Sequence, residues 1–278
     1  MSGFEADWLD LRAAADARAR DEAGLEPALL QALAERLGAD DRAVDVLDLG
    51  AGHGNNLRYL ASRLAAGLRR PQHWTLVDSD GGLLAAAAAP DLPAPIRIAT
   101  MRWDLAKGSP GLPLAGCDLV TASALFDLVS ADWVEDFATA CAAAAVPLGL
   151  FALSVDGRLD WTPREPEDAE VADLFHGHMR RDKGFGEALG PDAPDALAAA
   201  FERAGYAVER GDSAWRLGAA DAAMQTALIE GYAAAAREAA PARAAAIDDW
   251  AARRAAHAAR GAGRLTVGHA DLLVRLTD

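Results

Sequence analysis

The sequence predicts an α/β fold, a mostly parallel sheet with helices on both faces. Three observations predict it. Between residues 44 and 155, short apolar or β-branched runs alternate with segments of helical period, the pattern of a parallel sheet. The first of these runs leads directly into a glycine-rich turn, Gly50-Ala51-Gly52-His53-Gly54, and a helical segment leaves it. The chain has 278 residues, 52% of them hydrophobic, which is ample for one sizeable core.

The elements follow in order. Residues 4–21 are expected to be helical, with Trp8, Leu11 and Ala15 on one side. A second helix over 25–37 repeats Leu29, Leu33 and Leu37, and Gly38 stops it. Residues 44–49 read as a strand, and 55–67 as a helix with Leu57, Leu60 and Leu64 on one face. A strand over 74–77 closes at Asp78, and a helix over 83–89 ends at Pro90. Strands over 96–99 and 118–122, a helix over 131–145 carrying Trp133, Val134 and Phe137, and a strand over 149–155 continue the alternation. Beyond 155 the regularity falls. Residues 156–166 are polar and turn-rich, 167–181 helical, 182–191 a glycine-rich loop, and 195–204 a helix stopped by Gly205. A sixth strand over 206–210, helices over 219–239 and 241–259, and a last strand over 265–276 complete the chain.

Composition narrows the function. The balance of 27 basic against 42 acidic residues gives a net charge of −15. An acidic surface repels phosphate backbones, which argues against nucleic acid as a partner. Cys117 and Cys141 build neither a disulfide framework nor a cysteine zinc site, and suit a reducing compartment. The start Met-Ser-Gly-Phe-Glu-Ala-Asp-Trp lacks the basic and apolar stretches of a signal peptide. Residues 137–155 carry no charge, and ~18 such residues is the length that signals a membrane span. Pro147 and Gly149 divide that run into a helix end and a strand. A cytoplasmic protein with no nucleic-acid partner and no membrane segment is the expectation.

The glycine turn separates two ligand classes. A dinucleotide fingerprint wants Gly-x-Gly-x-x-Gly. Here the third glycine comes one residue early, at Gly54, and Asn55 takes the dinucleotide position. With the acidic Asp48 ahead of it, the run Asp48-Leu49-Gly50-Ala51-Gly52-His53-Gly54 resembles the nucleotide loop of class I S-adenosylmethionine-dependent methyltransferases of the small-molecule type. The resemblance covers residues 44–155 well and the remainder loosely. It implies a Rossmann-like, seven-stranded, mostly parallel sheet whose last two strands pair antiparallel at the edge. It also implies added N-terminal helices and helical insertions after strands five and six. The implied cofactor is S-adenosyl-L-methionine, held by Asp48, Gly50, Ala51, Gly52 and Gly54. Asp78, followed by Ser79, would accept from both ribose hydroxyls, with Asp80 as the competing residue. Asp104 and Leu105 would meet the adenine, although Asp104 also reads simply as a turn cap.

The acceptor side is less local. Asp127 follows the fourth strand, a segment that borders the methyl-transfer site in that family, and is a candidate catalytic residue; a turn or N-cap acceptor is equally open. Arg12, Asp16 and Arg20 share one helical stripe. The plainer reading is a solvated ion-pair ladder. The functional one is a lid that aims Arg12 at the methionine carboxylate, with Trp8 over the sulfonium or the acceptor. His176, His178, Arg180, Arg181 and Lys183 concentrate charge beside a glycine-rich loop. They read either as acceptor-binding groups with His178 as general base, or as a basic helix end. The expected organisation is a helical lid over 1–40, a cofactor-binding core over 41–155 and an acceptor side over 156–278. Methyl transfer to a small, anionic molecule, without a metal, is the expected activity. An NAD(P)-dependent oxidoreductase and a non-catalytic S-adenosylmethionine-binding protein remain open.

Overall fold

The computed structural model describes residues 2–87, 92 and 95–277. Two helices, α1 (Ser2–Ala23) and α2 (Glu26–Leu37), precede the sheet. The alternation then runs β1 (Val44–Leu49), α3 (Asn55–Leu68), β2 (Gln72–Asp78), α4 (Gly81–Ala87), β3 (Ile96–Arg102), β4 (Leu119–Ser123), α5 (Ala131–Ala143) and β5 (Leu148–Thr162). The expected end of the fourth helix at Ala89 and Pro90 lies outside the described residues. After β5 come α6 (Asp168–Met179), α7 (Ala193–Arg203), β6 (Tyr206–Asp212), β7 (Trp215–Leu217), α8 (Ala222–Ala239), α9 (Ala244–Ala259) and β8 (Arg264–Leu276).

The strands form one sheet in the order β3-β2-β1-β4-β5-β8-β6, with β7 also on β8. β1 to β5 are parallel. β8 is antiparallel to both β5 and β6. The order reverses between β1 and β4, and in such sheets the crevice at that switch point is where ligands bind. This is the Rossmann-like sheet expected of class I methyltransferases, with its late antiparallel strand.

Alternation along the strands builds a core on each face. Val44 and Val46 of β1 pack with Leu29, Leu33, Leu57 and Leu60 of α2 and α3. Leu47 and Leu49 pack on the other face with Phe137, Phe151 and Phe201. Truncating one of these fully buried rings to alanine would cost about 3–5 kcal/mol. A third apolar group, built on Trp161, Tyr232 and Trp250, lies under the added helices.

Three expectations are corrected. The fifth strand does not stop at 155: it runs to Thr162, because β8 pairs with its extension through Leu159, Asp160 and Trp161. The segment read as turn-like because it is polar, and a register shift between Val155 and Leu159 interrupts its ladder; a second shift falls at Leu153. Leu153 has φ +58°, and its N–H donates to the Asp271 carboxylate at 2.8 Å. The sheet also has an eighth strand, β7, whose three residues are too few to show a period. Finally, the Arg12, Asp16 and Arg20 stripe is not a solvated ladder. The side chains of Arg12 and Asp16 are 11% and 13% exposed and that of Arg20 only 4%, because α1 lies across β5, β6, β7 and β8 with this face inward.

At the far end of the sheet, Asp118 precedes β4 and is fully buried. Arg42 donates to both of its oxygens at 2.6 Å, and the Asp45 N–H donates at 3.0 Å. These partners hold its carboxyl below the usual range despite burial.

Candidate functional site

Gly50, Gly52 and Gly54 all have positive φ, at +62°, +54° and +91°, a backbone that side chains disfavour. A Cβ on Gly50 would lie 3.3 Å from Leu125, and one on Gly54 would lie 3.1 Å from Ala87. The turn therefore needs glycine both for its path and for close approach. Asp78 fixes it from the tip of β2. One carboxylate oxygen accepts the Gly52 N–H at 2.9 Å, and the other accepts the Asp80 N–H at 2.9 Å. A carboxylate offers about four lone-pair positions, so both oxygens keep capacity for further donors.

A cleft of about 480 Å³ opens beside this clamp. Gly50, Asp78, Ser79, Asp104, Leu105 and Lys183 all line it. Asp104 also accepts the Ala106 N–H at 3.0 Å, so it caps its turn and faces the cleft at once. Ala124 lines the same cleft with φ +53°, a strained backbone at the end of β4.

The first helix closes the other side of the turn. Asn55 Nδ2 donates to the Leu9 carbonyl at 2.7 Å, and His53 Nε2 lies 3.0 Å from Asp10 Oδ1. A smaller space of about 120 Å³ remains between them, lined by Gly50, Ala51, Gly52 and Arg12. Arg12 donates to Asp16 at 2.8 Å, and its guanidinium lies over the Trp215 ring. Trp8 packs edge-on against that same ring at 6.2 Å, so Trp215 stands next to Trp8.

Two acids are left incomplete, Asp48 fully buried and Asp127 half-buried and lining neither space. Asp48 Oδ1 accepts from Asn56 Nδ2 at 2.6 Å, while Oδ2 has no partner among the described residues. Burial pushes Asp48 up to about 7, against the pull of Asn56 and Arg20. Asp127 Oδ1 is likewise buried without a partner. Burial pushes Asp127 up to about 6, while Arg12 and Lys183 draw it down. Asp127 does not cap the next helix; Ser130 does, accepting the Trp133 N–H at 3.3 Å.

The basic segment divides. Lys183 lines the cleft. Arg180 pairs with Asp192 at 2.9 Å. His178 lies 3.3 Å from Glu238 of α8, and Arg181 pairs with the same carboxylate. His176 is half-buried, and burial with the nearby Arg180 lowers its pKa. His178 and Arg181 thus brace the end of α6 on α8, and neither lines the cleft.

Several site residues had no role in the sequence reading. His53 inside the glycine motif, and Asn55 and Asn56 directly after it at the start of α3, anchor α1 and Asp48, a position that was itself the available signal. His269 is buried in β8, where its Nδ1 lies 3.0 Å from the Val267 carbonyl and its ring lies against Trp215. Burial lowers it to about 3. His269 and Asp271 break an apolar strand at alternate positions, which marks one face.

No family model and no curated protein matches the chain. Solved structures with a similar course include the cyclopropane synthase MmaA2 from Mycobacterium tuberculosis, at 11% identity and TM-score 0.45, over 90% of this chain and 83% of that one. The mycolic acid cyclopropane synthase CmaA1, complexed with SAH and CTAB, shows 10% identity and TM-score 0.45, over 92% and 87%. DesVI from Streptomyces venezuelae shows 16% identity and TM-score 0.42, over 74% and 92%.

Proposed function

We propose that the chain is an S-adenosylmethionine-dependent methyltransferase acting on a small, anionic molecule. The observation that carries this reading is the Asp78 clamp. A carboxylate with spare lone pairs stands at the tip of β2 and is tied to a positive-φ glycine turn, beside a cleft that also holds Asp104 and Leu105. These residues fit the cofactor. Asp78 would take the ribose, Gly50, Ala51, Gly52 and Gly54 the cradle, and Asp104 with Leu105 the adenine. Arg12 would face the methionine carboxylate, with Asp48 behind the turn. When bound, the cofactor supplies an electrophilic methyl on sulfur.

The chain's own contributions are alignment and exclusion of water. Of the expected lid over 1–40, α1 would serve as the lid while α2 belongs to the core, and residues 156–278 would form the acceptor side. Lys183 is the one cation among the described residues lining the larger cleft, which supports an acceptor bearing a carboxylate or phosphate. Asp127 would take the acceptor's proton if the nucleophile is a hydroxyl or amine. Its burial keeps it a usable base near neutral pH. His176, Arg180 and Arg181 would hold the loop that presents Lys183, with His178 as their partner on Glu238. Trp8 would border the acceptor beside Trp215.

Calorimetry with S-adenosylmethionine and S-adenosylhomocysteine, run beside NAD+ and NADP+, tests the reading. Binding of the adenosyl ligands alone is expected. Binding of a nicotinamide nucleotide instead would sink it. Tight adenosyl binding with no methylated product in extracts given a labelled donor would favour the non-catalytic alternative.

A further inference from the structure

We propose that the cavity between α1 and α3 binds a small oxyanion, the carboxylate or phosphate group of a molecule other than the methyl donor, on Arg20. The cavity measures about 260 Å³. Ala17 and Asp16 of α1, Asn56 and Tyr59 of α3, and Ser123 at the end of β4 line it together with Arg20.

Arg20 is a buried cation with an unfinished set of partners. Its side chain is 4% exposed. Nη1 donates to Asn56 Oδ1 at 2.8 Å. Nε lies 3.9 Å from Asp271 Oδ2, beyond hydrogen-bond reach. Nη2 is buried with no acceptor among the described residues. The Tyr59 ring lies 3.9 Å below the guanidinium, which leaves its edge as the binding direction. A buried charged donor without an acceptor is costly, and the neighbouring acids do not relieve it. Asp16 accepts from Arg12 and the Trp215 indole N–H and makes no bond to Arg20 among the described residues. Asp48 and Asp271 are both shifted towards their neutral forms by burial. An incoming oxyanion would supply the missing acceptor. A water's share of liquid volume is about 30 Å³, so the space suits a phosphate or a short carboxylate.

The site is separate from the cofactor's expected seat. None of Gly50, Ala51 and Gly52 lines this cavity, whereas all three line the smaller space beside Arg12. The two spaces meet at Asp16, Asn55, Asn56 and Ser123.

The test is calorimetric titration of the full chain with inorganic phosphate and with malonate, with and without saturating S-adenosylhomocysteine. The variants are Arg20→Gln and Ala17→Leu; the second fills the cavity from α1 without touching the cation, and decides the matter if Arg20→Gln does not fold. Saturable binding of either probe at one site is expected, persisting with S-adenosylhomocysteine bound and weakened at least ~10-fold in each folded variant. Three results would overturn the proposal: no binding of either probe, binding equal in the folded variants, or displacement of the probe by S-adenosylhomocysteine but not by 5′-methylthioadenosine. The last would make Arg20 the seat of the cofactor's own carboxylate. None of these readouts requires methyl transfer, so the site stands or falls apart from the proposed activity.

Discussion

Asp48 closes β1 and Asp118 leads into the neighbouring β4, at opposite ends of the sheet. Both are fully buried, yet their surroundings act on them in opposite senses. Asp118 receives two arginine N–H groups and a backbone N–H, and its carboxyl is held low. Asp48 keeps one oxygen without a partner and is pushed up to about 7. Asp127, at the same end as Asp48, shares its condition. At the amino end, the Asp118 carboxylate has a partner on each oxygen and serves stability. At the carboxyl end, Asp48 and Asp127 each keep one oxygen without a partner among the described residues, beside the proposed site.

The contrast can be broken by mutation. Asp127→Asn should have the largest effect on turnover. Losing a general base costs about 10²–10⁴-fold, and the parent's rate should rise with pH through about 6 as Asp127 loses its proton. A parent profile flat across that range, or an equally active variant, would remove Asp127 from the chemistry. Asp118→Ala comes next, and acts on stability alone. Charged hydrogen bonds contribute about 1.5–3 kcal/mol, but Arg42 is 38% exposed and water screens it. A loss of about 2–3 kcal/mol in urea unfolding, with cofactor affinity unchanged, is expected. Because its folded pKa is lowered, the stability from Asp118 is present above the unfolded pKa of about 3.9 and lost as pH falls through the folded value.

Asp78→Ala should weaken S-adenosylhomocysteine binding by roughly 1.5–3 kcal/mol with the fold retained. Unchanged calorimetric affinity would move the ribose elsewhere, with Asp80 next to examine. Asp48→Asn is the gentlest change. Its folded pKa is raised, so its contribution to stability is full below about 3.9 and fades as pH rises towards 7. The Asn variant should reduce that slope in denaturant midpoints measured from pH 4 to 8, with Asp127 and Asp271 supplying the remainder; a slope unchanged from the parent would place its origin in those groups alone.

The glycine turn and its Asp78 clamp, the proposed cofactor half, were legible because they are local. Asp48 to Gly54 is one motif, Asp78 ends a strand and Asp104 follows one, and the pattern marks both strand ends. The proposed acceptor half is assembled from residues far apart, and its geometry depends on pairing that periodicity does not carry. His178 and Arg181 were read beside Lys183 because they are neighbours in the chain, yet Glu238 of α8 draws them away. The inward turn of Arg20 depends on Asn56 and Tyr59 of α3, and nothing in the first helix announces either. The extension of β5 was hidden for the same reason: its partner, β8, is a hundred residues further along the chain.

The anchoring of α1 on the glycine turn bears on how this molecule can be handled. The sheet's order and its two main cores are built from α2 onwards, so a chain cut after Ala23 retains the means to fold around them. It would lose the Leu9 carbonyl that holds Asn55 and the Asp10 carboxylate beside His53, and Arg20 with its cavity. Helix ends are where fraying begins, and the residues that seal the turn lie within three turns of this one. A fusion partner joined at the amino terminus therefore pulls on the seal itself, whereas one joined at the carboxyl terminus, beyond β8, leaves the seal alone.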